Sequence, residues 1–161
     1  MSDSRGNRVV LASILDRLMD DEPERKQEAA LSESQILRAL RVALRRDLEC
    51  FFNSRQRALP RPEDLEQLEG SLIDYGVPDT TGANLSSSQR RQEFLRRLES
   101  SLRAHEPRFS KVKVTALASN DPADRSLSFR IDAVVRVGGE SESATFDSRM
   151  EPVSRSVTVK L

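Results

Sequence analysis

The sequence is poor in the residues that most often carry catalysis or bind metal. It has one cysteine, one histidine, one tyrosine and no tryptophan in 161 residues. A single cysteine, Cys50, excludes an internal disulfide and favours a reducing compartment. His105 lies far from it in sequence, and neither Cys-x-x-Cys nor His-Glu-x-x-His occurs, so we expect no metal site and no cofactor. Next to Phe51 and Phe52, Cys50 is expected to be a small buried apolar side chain.

Net charge and long apolar runs are missing as well. The 26 lysines and arginines balance the 26 acidic residues, so the formal net charge is zero. Nucleic-acid-binding proteins usually carry a basic excess or stripe, so we expect no nucleic-acid partner. No apolar run approaches the roughly 20 residues that a membrane-spanning helix needs, and Met1–Arg8 lacks the apolar stretch of a signal peptide. These absences predict a cytoplasmic protein without a membrane span.

Motifs for covalent catalysis are also lacking. The sequence contains neither Gly-x-Ser-x-Gly nor a glycine-rich phosphate loop. His105 falls at the end of a predicted helix, where it can bond the last carbonyl groups. Acidic residues are plentiful, so a carboxylate pair for glycoside hydrolysis stays an alternative. Aromatic residues, which commonly line ligand clefts, make up only 4% of the chain. We therefore predict a non-enzyme without catalytic residues.

Two stretches have the periodicity of amphipathic helices, in which apolar residues recur every three to four positions. The first begins at Ser32-Glu33-Ser34-Gln35, which has the spacing of a capping box, and ends near Asn53-Ser54. The second is capped by Ser86–Ser88 and runs through Ala104. Their apolar faces consist of Ile36, Leu37, Leu40, Ala43, Leu44, Leu48, Phe51 and Phe52 in the first and of Phe94, Leu95, Leu98 and Leu102 in the second.

The chain between these helices reads as irregular. Arg61-Pro62-Glu63-Asp64 starts a short predicted helix, with Leu65 and Leu68 facing inward. Glycine and proline residues then interrupt any regular pattern. They are Gly70, Gly76, Pro78 and Gly82.

After Pro107 the apolar period changes from about 3.6 to about 2, which is typical of β-strands. Four groups of alternating residues follow, and Gly138-Gly139 is expected to turn the chain between the second and the third. The inward-facing residues are Val112, Val114 and Ala116, then Leu127, Phe129, Ile131, Ala133, Val135 and Val137, then Ala144, Phe146 and Ser148, and finally Val157, Val159 and Leu161. Helices followed by a meander predict an α+β fold, with N-terminal helices packed on one face of a C-terminal antiparallel sheet of about three to four strands.

The start of the chain is predicted to be separate from this domain. Residues 1–31 form an arm with a short helix at Val9–Met19 and an acidic, proline-containing linker, and residues 32–161 form a single α+β domain. In the helix an apolar stripe comprises Leu11, Ile14, Leu15 and Leu18. The stripe either packs on the chain's own core or docks into a groove on a partner, and the sequence leaves both readings open.

Several short motifs resemble those of the TssE family of type VI secretion baseplate proteins. Each motif alone is weak, but their order and spacing over Leu11–Arg108 make the resemblance specific. They are Ser13-Ile14-Leu15-Asp16-Arg17-Leu18, Arg46-Asp47-Leu48-Glu49, Asn53-Ser54-Arg55, Ser71-Leu72, Tyr75-Gly76-Val77-Pro78-Asp79 and Glu106-Pro107-Arg108, with Ser54 and Val77 standing where the family usually has Thr and Leu.

The resemblance implies a fold shared with the small baseplate-wedge protein of contractile phage tails. It also implies a hetero-oligomeric assembly with the wedge proteins TssF and TssG beside the first ring of contractile sheath subunits, in a cytoplasmic baseplate docked at the inner membrane. Glu106, Pro107 and Arg108 are the expected sheath or partner contact, although Glu106 and Arg108 could instead pair with each other. The alternatives are a lysozyme-like peptidoglycan glycoside hydrolase and a regulatory adaptor on the same fold.

Overall fold

The structure is a computed structural model that describes residues 32–57, 62, 64–68, 70–77, 87–118, 126–137, 140–151, 154 and 156–161, together with Leu18 and Glu24. Within these ranges two α-helices precede a four-stranded antiparallel sheet. The predicted α+β fold is therefore confirmed, with N-terminal helices and C-terminal strands. The predicted Gly138-Gly139 turn lies outside the described residues.

Helix α1 spans Glu33–Asn53 and has the capping box that the sequence predicts. The Gln35 amide donates to the Ser32 hydroxyl at 3.4 Å, and the Ser32 amide donates to the Gln35 side-chain oxygen at 2.8 Å. These two bonds satisfy amides that the first helical turn cannot pair. The helix ends at Asn53, and the Ser54 amide bonds the Phe51 carbonyl.

Helix α2 spans Ser88–His105, with the Ser87 hydroxyl accepting from the Arg90 amide. The described residues between the helices form two 3-10 turns, Glu66–Leu68 and Leu72–Asp74. The inward position predicted for Leu65 is wrong, because this side chain is 47% exposed just before the first turn. A single 3-10 turn is too short to form an apolar stripe that could bury it.

The sheet is a plain meander with strand order β1-β2-β3-β4. Its strands are β1 Phe109–Ala116, β2 Leu127–Val137, β3 Glu140–Met150 and β4 Val157–Lys160. The register of β1 on β2 shifts between Phe109 and Lys111, as in a β-bulge. The edges of the sheet are thus β1 and β4. Each edge strand contacts one helix: α2 contacts β1, and α1 contacts β4.

One core joins the helices to one face of the sheet, because the predicted apolar faces are buried together. The alternation predicted for β2 and β3 is confirmed, and Phe129, Ile131 and Phe146 are at most 1% exposed. Two positions at strand ends differ from the prediction, since Ala116 and Leu161 are exposed. Cys50 is also exposed rather than buried, so the prediction of a buried thiol is wrong.

Little of the N-terminal arm belongs to the described structure. Leu18 is helical and 76% exposed, whereas Leu11, Ile14 and Leu15 lie outside the described residues. None of the described helices is long and apolar enough to cross a membrane.

Candidate functional site

The start of β1 carries an ion triad formed by Arg108, Glu106 and Asp47. The Arg108 guanidinium donates to both oxygens of Glu106, at 2.7 Å from Nε to Oε1 and at 2.5 Å from Nη2 to Oε2. Nη2 also donates to Asp47 Oδ2 of α1 at 2.8 Å. The side chains are 25%, 13% and 29% exposed, respectively, so the triad lies at the border between core and solvent. It fixes the corner where the chain leaves α2 and enters the sheet.

These contacts strongly favour the charged arginine. The side-chain hydrogen bond that Arg108 donates to Glu106 is the largest effect and raises the pKa of Arg108, against a smaller opposing effect of burial. The structure thus shows the pairing of Glu106 with Arg108 that the sequence left open. Nη1 is the guanidinium nitrogen for which the described part of the chain provides no hydrogen bond. Pro107, which lies between the two paired residues in sequence, is exposed.

An aromatic cluster lies next to the triad. Phe51 of α1 makes edge contacts with Tyr75, at 5.1 Å between ring centroids, and its ring lies 6.2 Å from that of His105. The His105 ring nitrogens face the carbonyl oxygens of Ser101 at 3.0 Å and Ser71 at 3.3 Å. The expectation that His105 bonds carbonyl groups at a helix end is confirmed. The same ring ties α2 to the 3-10 turn at Leu72–Asp74.

A short parallel bridge joins two of the sequence motifs. The Val77 amide donates to the Ser54 carbonyl at 2.8 Å, and the Gln56 amide donates to the Val77 carbonyl at 3.0 Å. Gly76 is required there for two reasons. Its φ of 104° is rarely adopted by other residues, and a Cβ atom would lie 2.5 Å from the Ser54 carbonyl oxygen. The motifs Asn53-Ser54-Arg55 and Tyr75-Gly76-Val77 are therefore in direct contact.

Helix α1 covers the β4 edge of the sheet with side-chain hydrogen bonds. The Asn53 side chain accepts from the Val157 amide and donates to the Val157 carbonyl, both at 3.0 Å. Glu49 Oε1 accepts from the Val159 amide at 3.1 Å. An unpaired strand edge invites pairing with another chain, and these side chains occupy the positions that such a strand would use.

Helix α2 also covers the β1 edge, but with one side-chain hydrogen bond where α1 makes three to β4. Glu99 Oε2 accepts from the Val114 amide at 3.0 Å. The same carboxylate pairs with Lys113 at 3.3 Å and with Arg103 at 3.2 Å. Glu99 is only 17% exposed, so its bond to the edge is partly shielded from water.

A shallow depression of about 620 Å³ lies beside this edge. Glu99 and Asp132 are the carboxylates that line it. Asp132 accepts from the Thr145 hydroxyl at 2.9 Å, and Glu99 makes the three contacts given above. These bonds give both carboxylates a structural role. Among the described residues, no cluster of three or more potential ligands could hold a metal ion.

Sequence reasoning singled out Glu106 and Arg108 of the triad but missed Asp47 as their partner, and it missed the residues that cover the sheet edges. Asn53 was predicted only as the end of a helix, and no contact was predicted for Glu49 or Glu99. Their partners on β4 and β1 are 104, 110 and 15 residues away in sequence, respectively. The weak signal available was that Glu49 and Asn53 belong to two of the motifs that carry the family resemblance.

The described residues form a two-layer α+β protein in which the sequence motifs meet in pairs. Arg46-Asp47-Leu48-Glu49 contacts Glu106-Pro107-Arg108, and Asn53-Ser54-Arg55 contacts Tyr75-Gly76-Val77. A model of the family described as baseplate wedge protein gp25 matches residues 38–140, more than half of the chain. The chain belongs to this family of structural baseplate components, in which TssE is the homologue found in type VI secretion. The resemblance seen in the sequence is thereby confirmed. A comparison with curated proteins finds no match.

Proposed function

We propose that this chain is the TssE-like subunit of a type VI secretion baseplate, where it binds the wedge proteins TssF and TssG and nucleates the contractile sheath. The observation that carries this proposal is the contact between the Arg46-Asp47-Leu48-Glu49 and Glu106-Pro107-Arg108 motifs, joined by Asp47 and Arg108 at 2.8 Å. Motifs that belong to a wedge protein thus build one corner at the start of the sheet. In this role the protein acts in the cytoplasm, in a baseplate docked at the inner membrane.

The triad corner is the proposed sheath or partner contact. Arg108 uses Nε and Nη2 within the chain, which orients the planar fork and leaves Nη1 directed to an acceptor on a partner. Pro107, the residue before Arg108 in sequence, is exposed. A guanidinium that its own chain already orients loses little side-chain entropy on binding, which favours its use in an interface.

The N-terminal stripe of Leu11, Ile14, Leu15 and Leu18 is the proposed contact with a wedge protein. The high exposure of Leu18 supports a role outside this chain's own core. We expect Leu15→Asp to weaken capture of TssF and TssG while the thermal melt of the isolated protein stays nearly unchanged. A melting temperature lowered by many degrees would show instead that the stripe packs on this chain's core.

Affinity capture from cells tests the assembly role directly. The tagged full chain is expected to retain TssF, TssG and sheath subunits, and capture of none of them would overturn the proposal. Fluorescent sheath imaged in cells then tests the corner with Arg108→Lys, which keeps the charge but removes the fork. We expect wild-type wedge incorporation but few extended sheaths, whereas the matched exposed variant Arg97→Lys should extend sheaths normally.

The proposed role is structural and requires no catalysis. Purified protein is accordingly expected to release no soluble fragments from peptidoglycan under conditions in which a lysozyme control does. Cleavage that disappears when Glu99 or Asp132 is replaced by its amide would instead establish a glycoside hydrolase acting through the carboxylates of the depression.

A further inference from the structure

We propose that a partner adds an extended strand to the sheet at β1 and not at β4, and that this strand displaces Glu99 from the Val114 amide. This inference rests on the proposed function, because the added strand is an extended segment of a sheath subunit. It goes further by choosing the edge, naming the side chain that guards it and describing the segment that fits.

The hydrogen-bonding pattern decides which backbone groups of β1 face outward. The Leu117 amide donates to the Ser128 carbonyl, and antiparallel pairs alternate along the strand. Thr115 and Lys113 therefore bond to β2, while the amide and carbonyl groups of Val112, Val114 and Ala116 point away from the sheet. Of these six groups, the Val114 amide is the one for which the structure gives a side-chain partner, Glu99.

The β4 edge is closed over most of its length. The same alternation directs Val157 and Val159 outward, since the Glu151 amide bonds the Ser156 carbonyl. Asn53 already bonds both the amide and the carbonyl of Val157, and Glu49 bonds the Val159 amide. This strand has only four residues against eight in β1, so an added strand would find few groups to pair with.

Glu99 is suited to be a removable guard. When an incoming carbonyl takes the Val114 amide, Glu99 keeps Arg103 through Oε1, its other oxygen. Asn53 has no comparable alternative, because releasing Val157 leaves it only the Glu49 carbonyl of its own helix. Glu49 at the β4 edge would likewise keep a charged partner, Arg45, but Asn53 would not. The cost of opening is therefore lower at β1 than at β4, because a displaced carboxylate that keeps a charged partner is not left unpaired.

The depression beside β1 indicates what the added segment carries. Its polar lining comprises three basic residues, two carboxylates and three hydroxyl residues: Arg103, Lys111 and Lys113, then Glu99 and Asp132, then Ser110, Ser143 and Thr145. Basic residues thus outnumber acidic ones there. Lys113 loses its ion pair with Glu99 Oε2 when that oxygen moves away from the edge. An extended segment with an acidic side chain directed into this depression replaces that contact and sets the register of pairing, which backbone bonds alone do not.

Matched proline variants at the two edges test the choice of strand. Ala116→Pro on β1 and Leu161→Pro beyond β4 both alter an exposed residue whose amide points off the sheet, so neither removes a ladder bond. Capture of purified sheath subunits by the full chain is the measurement. We expect Ala116→Pro to weaken capture by about tenfold or more and Leu161→Pro by less than about twofold. The opposite result, equal losses or no loss in either variant would overturn pairing at β1.

Replacing the guard gives a test that does not depend on the proline variants. Glu99→Ala should raise sheath capture by about threefold or more, and it should speed hydrogen exchange at the Val114 amide while exchange at Val159 stays unchanged. Unchanged or weaker capture would overturn the guard, and if Ala116→Pro fails to fold this result alone decides. Failure of the proposed function looks different, because wild-type protein then captures no sheath, TssF or TssG at all.

Discussion

Arg108 and Glu106 form a two-point contact across a proline, with both carboxylate oxygens bonded to one guanidinium. Because Asp47 of α1 joins the same Nη2 atom at 2.8 Å, the pair also connects the start of β1 to the first helix. A charged pair that is three-quarters or more buried contributes to folding, apart from the partner contact proposed for it. Any experiment on this corner has to separate the two effects.

Arg108→Ala is expected to destabilise the protein by about 1–3 kcal/mol, since it leaves the largely buried Glu106 carboxylate without its partner. Urea unfolding followed by circular dichroism measures this loss. Arg97→Ala is the matched control. Arg97 also pairs with a glutamate, Glu93, but this pair is exposed on helix α2 and should contribute only about 0–0.5 kcal/mol. Equal stability of the two variants would show that Arg108 serves recognition only.

Gly76→Ala should destabilise the protein by about 2 kcal/mol or more, because the new Cβ atom enters a left-handed backbone position and meets the Ser54 carbonyl. Thermal unfolding is the measurement. Gly70→Ala provides the comparison, since Gly70 also has a positive φ of 69° but nothing lies within 4 Å of the added atom. The steric part of the effect is contradicted if both variants lose the same amount.

Tyr75 provides a built-in optical probe, because it is the chain's single tyrosine and there is no tryptophan. Burial, and then the negative charge of neighbouring groups, raises the pKa of Tyr75 above its ordinary value of about 10. The neutral, partly buried Tyr75 contributes its full share to the stability of the folded protein below a pH of about 10. This share is lost as the pH rises through the higher pKa of the folded state. Tyrosinate absorbance near 295 nm should therefore appear later in folded than in urea-unfolded protein, and coincident titrations would contradict the burial of the ring.

Asn53→Ala should cost about 1–2 kcal/mol, because it removes both side-chain bonds to Val157 and exposes the β4 edge. Hydrogen exchange resolved by residue is the sharper readout. The Val157 amide should exchange faster while the Val114 amide, at the other edge, is unchanged. Uniformly faster exchange at both edges would mean that the variant unfolds globally and that Asn53 does not act locally.

Patterns that depend on neighbours in sequence predicted the helices and the sheet. The capping box at Ser32 and the alternation along β2 follow from local geometry, and both are confirmed. The error at Cys50 was avoidable in principle. A helix turns by about 100° per residue, so Cys50 points some 200° away from the buried Leu48 two positions earlier.

Contacts between distant segments could not be predicted in this way. The triad joins Asp47 to Arg108, 61 residues further along the chain, and Asn53 reaches Val157 over 104 residues. Residue types at such positions are compatible with a solvated helix face, and only the fold decides between the two environments. For the same reason the sequence could not show which edge of the sheet is covered by a helix.

The contacts of Asn53 and Glu49 with β4 also constrain when the protein can finish folding. During synthesis α1 leaves the ribosome first among the described elements, while its last polar groups wait for a strand that follows β1, β2 and β3. Closing such a long loop costs conformational entropy and is therefore slow. The contact between α1 and β4 stays unformed until β4 has been synthesised. Docking of β4 against α1 is therefore expected to be the last contact between the described elements to form during synthesis.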